Sequence, residues 1–402
     1  MGFLTSMYFG GVRLAALFNR KARMLSCGEK QALDHIASRI ENGERYIWFH
    51  AASVGEFEQG RPIMEKIKQE HPQCKIILTF FSPSGYELRK NYAGADIVSY
   101  LPFATKKKVR KFLDLVNPVK AVFIKYEFWP NYLSELKRRH IPTYIIAAIF
   151  RRNQIFFKWY GAAYRRCLYT FEHLFVQDEE SRKLLAKYKI NDVTVCGDPR
   201  FDRVCAIAQE AKNLPIIEQF TYGAPTLIAG STWPVDEDML IRYVKENNYA
   251  CKLVLVPHET DKRHLHHIYQ ALRGRYVRYT EATPRNVEMA NCLVVDTVGI
   301  LSSIYRYGTV AYIGGGFGVG IHNTLEAAVY GMPVVFGPNY HKFREARQLI
   351  ECRGGFSVKN YKTLKKTLDE AFEHSKEYGE NAKNYVQGNK GATDVIYNRI
   401  MK

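Results

Sequence analysis

A regular alternation constrains this chain more than any other feature. From residue 45 to about 204, short apolar runs ("RYIWFH", "CKIILTFF", "ADIVSYLP", "KAVFIKY", "PTYIIAAI", "HLFVQ", "VTVCG") alternate with longer stretches such as "FEQGRPIMEKIKQEH" and "TKKKVRKFLDLV". The longer stretches carry apolar residues at helical spacing. Runs that are apolar throughout, rather than at every second residue, suit a parallel sheet covered on both faces. A polar passage with prolines, "AIAQEAKNLPIIEQFTYGAP", breaks the pattern, which then restarts with "TLIAGS", "CKLVLVP", "CLVVD", "GTVAYIGG", "MPVVFGP" and "GGFSV". The fold class expected is α/β, with two Rossmann-like, doubly wound parallel-sheet domains facing across a cleft. Ligands of such sheets bind at the carboxyl ends of the strands. The boundaries expected are a segment at 1–24, a first domain at 25–206 and a second at 207–402, whose last helix can pack back on the first.

Bulk properties narrow the class. A chain of 402 residues exceeds one ordinary core, and 47% hydrophobic with 24% charged residues is globular. A net charge of +18 attracts nucleic acid, anionic membrane or phosphorylated substrates. The sequence carries no paired zinc ligands and no aromatic RNA-binding stretch, so nucleic acid is not an expected partner. The eight cysteines form no C-x-x-C pair and several sit inside apolar strands. They read as small buried hydrophobes, not as a disulfide framework or a metal site.

The N-terminal "MGFLTSMYFGGVRLAALFNRKARM" is apolar for about 18 residues but holds Arg13, and Arg20, Lys21 and Arg23 follow. It lacks an A-x-A-like cleavage site. Two readings are open: an amphipathic helix lying on an anionic bilayer, and a helix packed on the protein's own surface.

The residues just after each strand matter most in this architecture. They include "SVGE" (53–56), "EFWPN" (127–131), "GSTW" (230–233), "PHE" (257–259) and "GGGFGVGIHNTLEAA" (314–328). The amides of residues 314–320 and the helix start behind them form a natural anion cradle. The loop is not a P-loop, for no Lys-Ser/Thr follows its last glycine, and it misses G-x-G-x-x-G. Glu326 could accept two ribose hydroxyls, and Asn323 could cap the helix or hold a phosphate. Glu56, in isolation, also fits the first turn of a helix, where negative charge suits the dipole.

Taken in order, "HAASVGE", "YEFWPN", "GSTW" and "GGGF…GIHNTLEAAVYGMPVVFGPNYHKF" resemble the 3-deoxy-D-manno-octulosonic acid (Kdo) transferases, two-domain glycosyltransferases of the GT-B type. The match spans nearly the whole chain. The resemblance implies inverting transfer of Kdo from CMP-Kdo to the lipid A precursor at the cytoplasmic face of the inner membrane, without a cofactor or an active-site metal. It implies that Glu56 is the general base that deprotonates the acceptor hydroxyl. Ser53, Gly55 and Glu127 would belong to the donor or acceptor sugar site. Ser231, Thr232, Gly315, Gly316, Asn323 and Glu326 would hold CMP. His258 stands where relatives commonly carry an arginine, and would take over a cytidine-phosphate contact.

The stretch "FRRNQIFFKWYG" departs from the family pattern. Its Arg151, Arg152 and Lys158, interleaved with aromatics, fit either a phosphorylated lipid head group or a plain surface helix. The basic "TKKKVRKFL" suits an anionic inner-membrane surface. Two other functions fit parts of the pattern: a GT-B enzyme or nucleotide-sugar epimerase using another nucleotide sugar, and a non-catalytic basic membrane-binding module.

Overall fold

The computed structural model describes residues 11, 14, 15, 17–41, 43–318 and 320–402. Most of the N-terminal segment expected to lie on a bilayer, Arg13 included, falls outside the described residues. Among the described residues, no helix is long and apolar enough to cross a membrane. The chain divides into two compact units, one running up to Asp202 and including Lys390–Lys402, the other spanning Arg203–Asn389.

The first unit is built on a seven-stranded sheet of β1 (Tyr46–Ala51), β2 (Lys75–Phe80), β3 (Ile97–Tyr100), β4 (Lys120–Ile124), β5 (Thr143–Ala148), β6 (His173–Val176) and β7 (Val193–Val195). Every pairing is parallel and the order is β3-β2-β1-β4-β5-β6-β7. All six residues of β1 are buried, and they alternate between two cores. Tyr46 and Trp48 join one core with Ile77 and Phe123. Ile47, Phe49 and Ala51 join the other with Leu78 and Val122. That is why the strand reads as a continuous apolar run: side chains point alternately to opposite faces, and both faces are covered.

The helix Val54–Glu70 and the C-terminal helix Ala392–Ile400 lie against the second of these cores. The C-terminal helix is fixed at its start by Asp202, whose carboxylate accepts the Gly391 and Thr393 N–H groups and the Thr393 hydroxyl. Further along, Tyr397 donates to Glu70 at 2.7 Å.

The second unit repeats the scheme with β8 (Thr226–Thr232), β9 (Lys252–Pro257), β10 (Tyr276–Arg278), β11 (Cys292–Val294), β12 (Val310–Ile313), β13 (Val334–Phe336) and β14 (Gly355–Ser357). They form an all-parallel sheet in the order β10-β11-β9-β8-β12-β13-β14. The sequence pattern missed β10, a three-residue edge strand whose residues are all half-buried. With Arg275 before it and Arg278 as its last residue, it lacks the apolar run that marks the others. The proline-bearing passage after β7 folds into the helices Arg200–Gln209 and Pro215–Thr221.

In each sheet the winding reverses once, between β1 and β4 in the first and between β8 and β12 in the second. Loops leaving neighbouring strands on either side of such a reversal diverge to opposite faces and leave a crevice between them. In the second unit the two loops run so close that a Cβ on Gly314 would lie 2.2 Å from the Ser231 carbonyl oxygen. Gly316 is equally tight against the backbone of Gly337, at 2.6 Å. Both are backbone contacts that cannot rotate away. Gly314→Ala is therefore expected to destabilise the second unit by about 1–3 kcal/mol, read as a lower urea midpoint. Gly318→Ala, whose nearest neighbour would be 3.7 Å away, is expected to leave the midpoint unchanged.

Candidate active site

In the first unit the reversal brings together the ends of β1 and β4. Ser53 is the extended residue before the helix Val54–Glu70, and its carbonyl accepts the Phe57 N–H. Glu56 lies in the first turn and folds back so that Oε2 accepts the Ala52 N–H at 2.7 Å. Its other oxygen, Oε1, has no hydrogen-bond partner among the described residues. Gly55 beside it is exposed, and nothing lies within 4 Å of where its Cβ would be. Space is thus left open next to a carboxylate that is itself half-buried.

Glu127 arrives from the end of β4 through Lys125, a non-glycine residue at φ +66°. It is buried, and it does not cap the helix Pro130–Arg138, whose N-cap residue is Trp129. Instead its Oε2 accepts the Trp129 indole N–H at 2.7 Å and lies 3.0 Å from His50 Nε2. The opposite ring nitrogen, His50 Nδ1, is 2.9 Å from Thr79 Oγ1, which also accepts the Trp48 indole N–H at 2.8 Å. A fully buried chain of side chains thus runs from the core to Glu127. His50, Thr79 and Trp129 carried no role at the level of sequence. The available signal was an imidazole and a hydroxyl inside strands that are otherwise apolar.

The electrostatics follow from this packing. Burial pushes the Glu56 carboxyl up to about 7, and the neighbouring Glu127 carboxylate adds to the rise. The Ala52 N–H, His50 and Lys125 pull in the other direction and do not cancel it. A carboxyl in this range exchanges a proton with an alcohol far more readily than an ordinary surface glutamate. The first-turn helix position is real, but the dipole's pull is outweighed.

In the second unit, β8 ends in a register break between Gly230 and Thr232, with Ser231 at φ +52°. Left-handed backbone at a non-glycine residue costs on the order of 1 kcal/mol and clusters at functional loops. Ser231 remains half-exposed. Thr232 does not: it is fully buried, its hydroxyl donates to Glu237 Oε1 at 2.9 Å, and its carbonyl accepts the His258 N–H. Its side chain therefore holds the loop rather than facing a ligand. Glu237 is completed by His264, whose Nε2 lies 2.7 Å from Oε2.

The neighbouring Asp236 accepts the Tyr312 hydroxyl at 2.7 Å and the Gly315 and Trp233 N–H groups at 3.0 Å each. Burial pushes its carboxyl up against the pull of those three donors. These acids follow "GSTW" directly, as first-turn residues after Pro234, and the sequence pattern gave them no part.

The glycine loop corrects one expectation. Its amides do not form an open anion cradle, because several are already spent. Gly314 N–H goes to the Gly230 carbonyl, Gly315 N–H to Asp236, and Gly318 and Gly320 N–H to the Gly315 carbonyl. The helix behind it, Leu325–Ala328, is a single turn. Asn323 accepts the Leu325 N–H at 3.2 Å and donates to Glu326 Oε1 at 2.9 Å, so it both caps that turn and orients Glu326.

Three rings from three strand-end loops stack together. His258 is 4.8 Å from Trp233 at 25° and 4.5 Å from His322. His258 is exposed. Burial and the nearby His258 hold His322 down at about 4, so it is neutral at pH 7.

Among the described residues, Glu259, Asp261 and His264 form the one cluster whose potential ligand atoms could hold a metal, all within 4.8 Å. Two of them have structural duties. Asp261 caps the helix Lys262–Leu272 and His264 is bound to Glu237. Arg151 and Arg152 are exposed and Lys158 half-buried, on a loop with one 3-10 turn, Ile155–Phe157, rather than a helix. A cavity of about 850 Å³ in the second unit, bordered by Pro225, Cys251 and Thr309, lies at the amino ends of β8, β9 and β12. It is remote from the loops that such sheets use for ligands.

The raised Glu56 pKa has a consequence for stability. Because the folded value lies above the unfolded 4.5, the ionised carboxylate destabilises the fold in full above about pH 7. Glu56→Gln is therefore expected to raise the melting temperature at pH 8, with the gain shrinking as the pH falls through 7 and gone below about 4.5. Calorimetry across that range checks it.

Comparison with known proteins bears on the fold and the family resemblance. Residues 26–203 match the family model for 3-deoxy-D-manno-octulosonic-acid transferase (kdotransferase). The chain is 28% identical over 347 residues to the 3-deoxy-D-manno-octulosonic acid transferase of Aquifex aeolicus, covering 84% of this chain and 89% of that one. It is 26% identical over 366 residues to the enzyme of the same name from Haemophilus influenzae, covering 88% and 84%. Among solved structures it is similar to the UDP-GlcNAc 2-epimerase from Neisseria meningitidis, with TM-score 0.61, 14% identity and coverage of 89% and 99%. MurG from Acinetobacter baumannii is similar at TM-score 0.56 and 11% identity, with coverage of 88% and 99%. At such identities these two likenesses speak for the fold alone. Residues 26–203 thus carry the match to the Kdo-transferase model, and the chain is a glycosyltransferase of GT-B fold that is similar to the Kdo transferases.

Proposed function

We propose that the chain transfers Kdo from CMP-Kdo to a hydroxyl of the lipid A precursor, with inversion and without a metal. The observation that carries this reading is Glu56: a half-buried carboxylate with a pKa of about 7, one oxygen tied to the Ala52 N–H and open space beside it. In the proposed step the acceptor oxygen attacks the anomeric carbon of Kdo while Glu56 takes its proton. The bond from that carbon to the CMP phosphate oxygen breaks, and CMP leaves with the electron pair. A single displacement inverts the centre. A base with a pKa near 7 is matched to this task, since a large share is ionised at neutral pH and it is basic enough to accept the proton.

Glu127 keeps the Glu56 pKa high, while the sugar site would include Ser53, Gly55 and Glu127. In the second unit the half-exposed Ser231 hydroxyl, Glu326 set by Asn323, the Gly315–Gly316 backbone and the His258 ring would hold CMP. Charge developing on the departing phosphate needs donors fixed in advance. Ser231 and the Gly316 amide supply that chemistry without a metal. The site of action would be the cytoplasmic face of the inner membrane. The net charge of +18 supports this, as do the exposed aromatics Trp159 (91%) and Tyr160 (59%) beside Arg151 and Arg152. A non-catalytic membrane module would have no use for a carboxylate held at pKa 7.

Incubation with CMP-Kdo and a tetra-acylated, bis-phosphorylated lipid A precursor, followed by lipid mass spectrometry, tests the reaction. Mass gains of Kdo units with the native chain, reduced at least about 10³-fold by Glu56→Ala, are expected. CMP binding without transfer would reject Kdo as the donated sugar or this lipid as acceptor. The pH profile of kcat/KM is expected to fall on the acid side with a midpoint near 7. Glu127→Gln, which removes one cause of the rise, should move that midpoint down.

A further inference from the structure

Four cations converge on one pocket of the first unit. Arg151 and Arg152, on the loop after β5, line a cavity of about 470 Å³ together with Lys183 and Lys187. Glu180 is the one acid on its wall, and Phe150 and Leu184 form the apolar floor. Residues 180, 183, 184 and 187 are spaced three and four apart, so the helix Glu179–Ala186 and its C-cap Lys187 present them on one face. None of the four cations makes a side-chain hydrogen bond or ion pair among the described residues. The contrast with Arg182 on the same helix is direct, because its guanidinium is bound to Glu179. A cation that only solubilises a helix tends to find such an i, i+3 partner. Here four sit around a concavity with a single carboxylate, Glu180, on its wall, a local excess of positive charge.

The pocket is also built, not a chance meeting of flexible arms. The Phe150 N–H donates to the fully buried Ser181 hydroxyl at 2.8 Å, locking the start of the loop onto the helix. The Arg151 N–H donates to Gln154 Oε1 at 3.0 Å. Phe150 packs edge-on against Phe156 and Phe157, and Phe128, one residue after Glu127, packs against Phe150 and Phe156. Arg151 and Arg152 follow the carboxyl end of β5, the same end of the sheet from which the proposed base leaves β1. Tyr126, directly before Glu127, feels the charges of Arg151, Asp178 and Glu56 together.

We propose that Arg151, Arg152, Lys183 and Lys187 form the subsite for a phosphate monoester of the acceptor. A phosphate carries about two negative charges at neutral pH and accepts the fork of an arginine as well as the point charge of a lysine. It would fit a site with four donors and one repelling acid. The proposal rests on the reading of the first unit as the acceptor domain. It revises which residues meet the phosphate: Lys158, expected there from sequence, is not part of the pocket, and Lys183 and Lys187 are.

The test separates this subsite from the transfer reaction. Binding of a soluble bis-phosphorylated glucosamine disaccharide, and of the same disaccharide without phosphates, is measured by calorimetry for the native chain, Lys183→Gln/Lys187→Gln and Arg151→Gln/Arg152→Gln. Each double variant is expected to weaken the phosphorylated ligand at least tenfold and leave the unphosphorylated one unchanged, while Glu180→Gln tightens the phosphorylated ligand two- to threefold. In the transfer assay the loss should appear in KM for the lipid acceptor rather than in kcat. If the variants bind the phosphorylated disaccharide like the native chain, the subsite is wrong even where Kdo transfer succeeds. If they lose it, the subsite stands even where no Kdo is transferred. Co-sedimentation with vesicles of phosphatidylglycerol and phosphatidylethanolamine closes the alternative. Loss of vesicle binding with unchanged disaccharide binding would make the pocket a bilayer contact and overturn the proposal.

Discussion

Two carboxylates held close together in a partly desolvated place dominate the first unit. Glu56 and Glu127 repel each other, and burial makes ionising both costly. A protein keeps such a pair only by surrounding it with groups that fix which member carries the charge. Glu127 has the stronger support. It accepts the Trp129 indole and pairs with His50, which is itself held by Thr79. Glu56 has one backbone N–H. The asymmetry leaves Glu56 as the less supported carboxylate, the one whose affinity for a proton is raised. Because Glu127 is one cause of the rise at Glu56, substituting Glu127 changes where Glu56 titrates.

The backbone contributes in the same way in both units. Lys125 in the first and Ser231 in the second adopt left-handed conformations where a strand next to the winding reversal ends. Each redirects the chain at the strand end, ahead of Glu127 in one case and of Trp233 in the other. The close approach of Gly314 to the Ser231 carbonyl then fixes the second loop against the first. The scaffold is rigid where it matters, and the hydrogen-bond donors within the glycine loop are largely spent on that rigidity.

Much of this was legible in the sequence, and the boundary of legibility has physical causes. Parallel strands buried on both faces announce themselves as apolar runs, so thirteen of fourteen strands could be read from the runs; the edge strand at Tyr276–Arg278, half-buried and flanked by arginines, could not. Glu56 and Glu127 stood out because they follow such runs and match ordered motif blocks. What sequence order conceals is strand order. Only the reversal between β1 and β4 puts residues 71 positions apart beside each other, and only then does His50 acquire a function as the support of Glu127. For the same reason Asp236, Glu237 and His322 passed as helix-start and loop residues. The loop at 150–161 was recognised as cationic and aromatic, but its partners Lys183 and Lys187 lie on a different helix, and no local pattern joins them.

Burial and Glu127 together hold Glu56 at a pKa near neutrality. The most direct measurement is a carbon-13 NMR titration of the Glu56 carboxyl in the folded protein, assigned by comparison with Glu56→Gln. The expected midpoint is near 7. A midpoint close to 4.5 would show a solvated first-turn glutamate, and would contradict its assignment as the base.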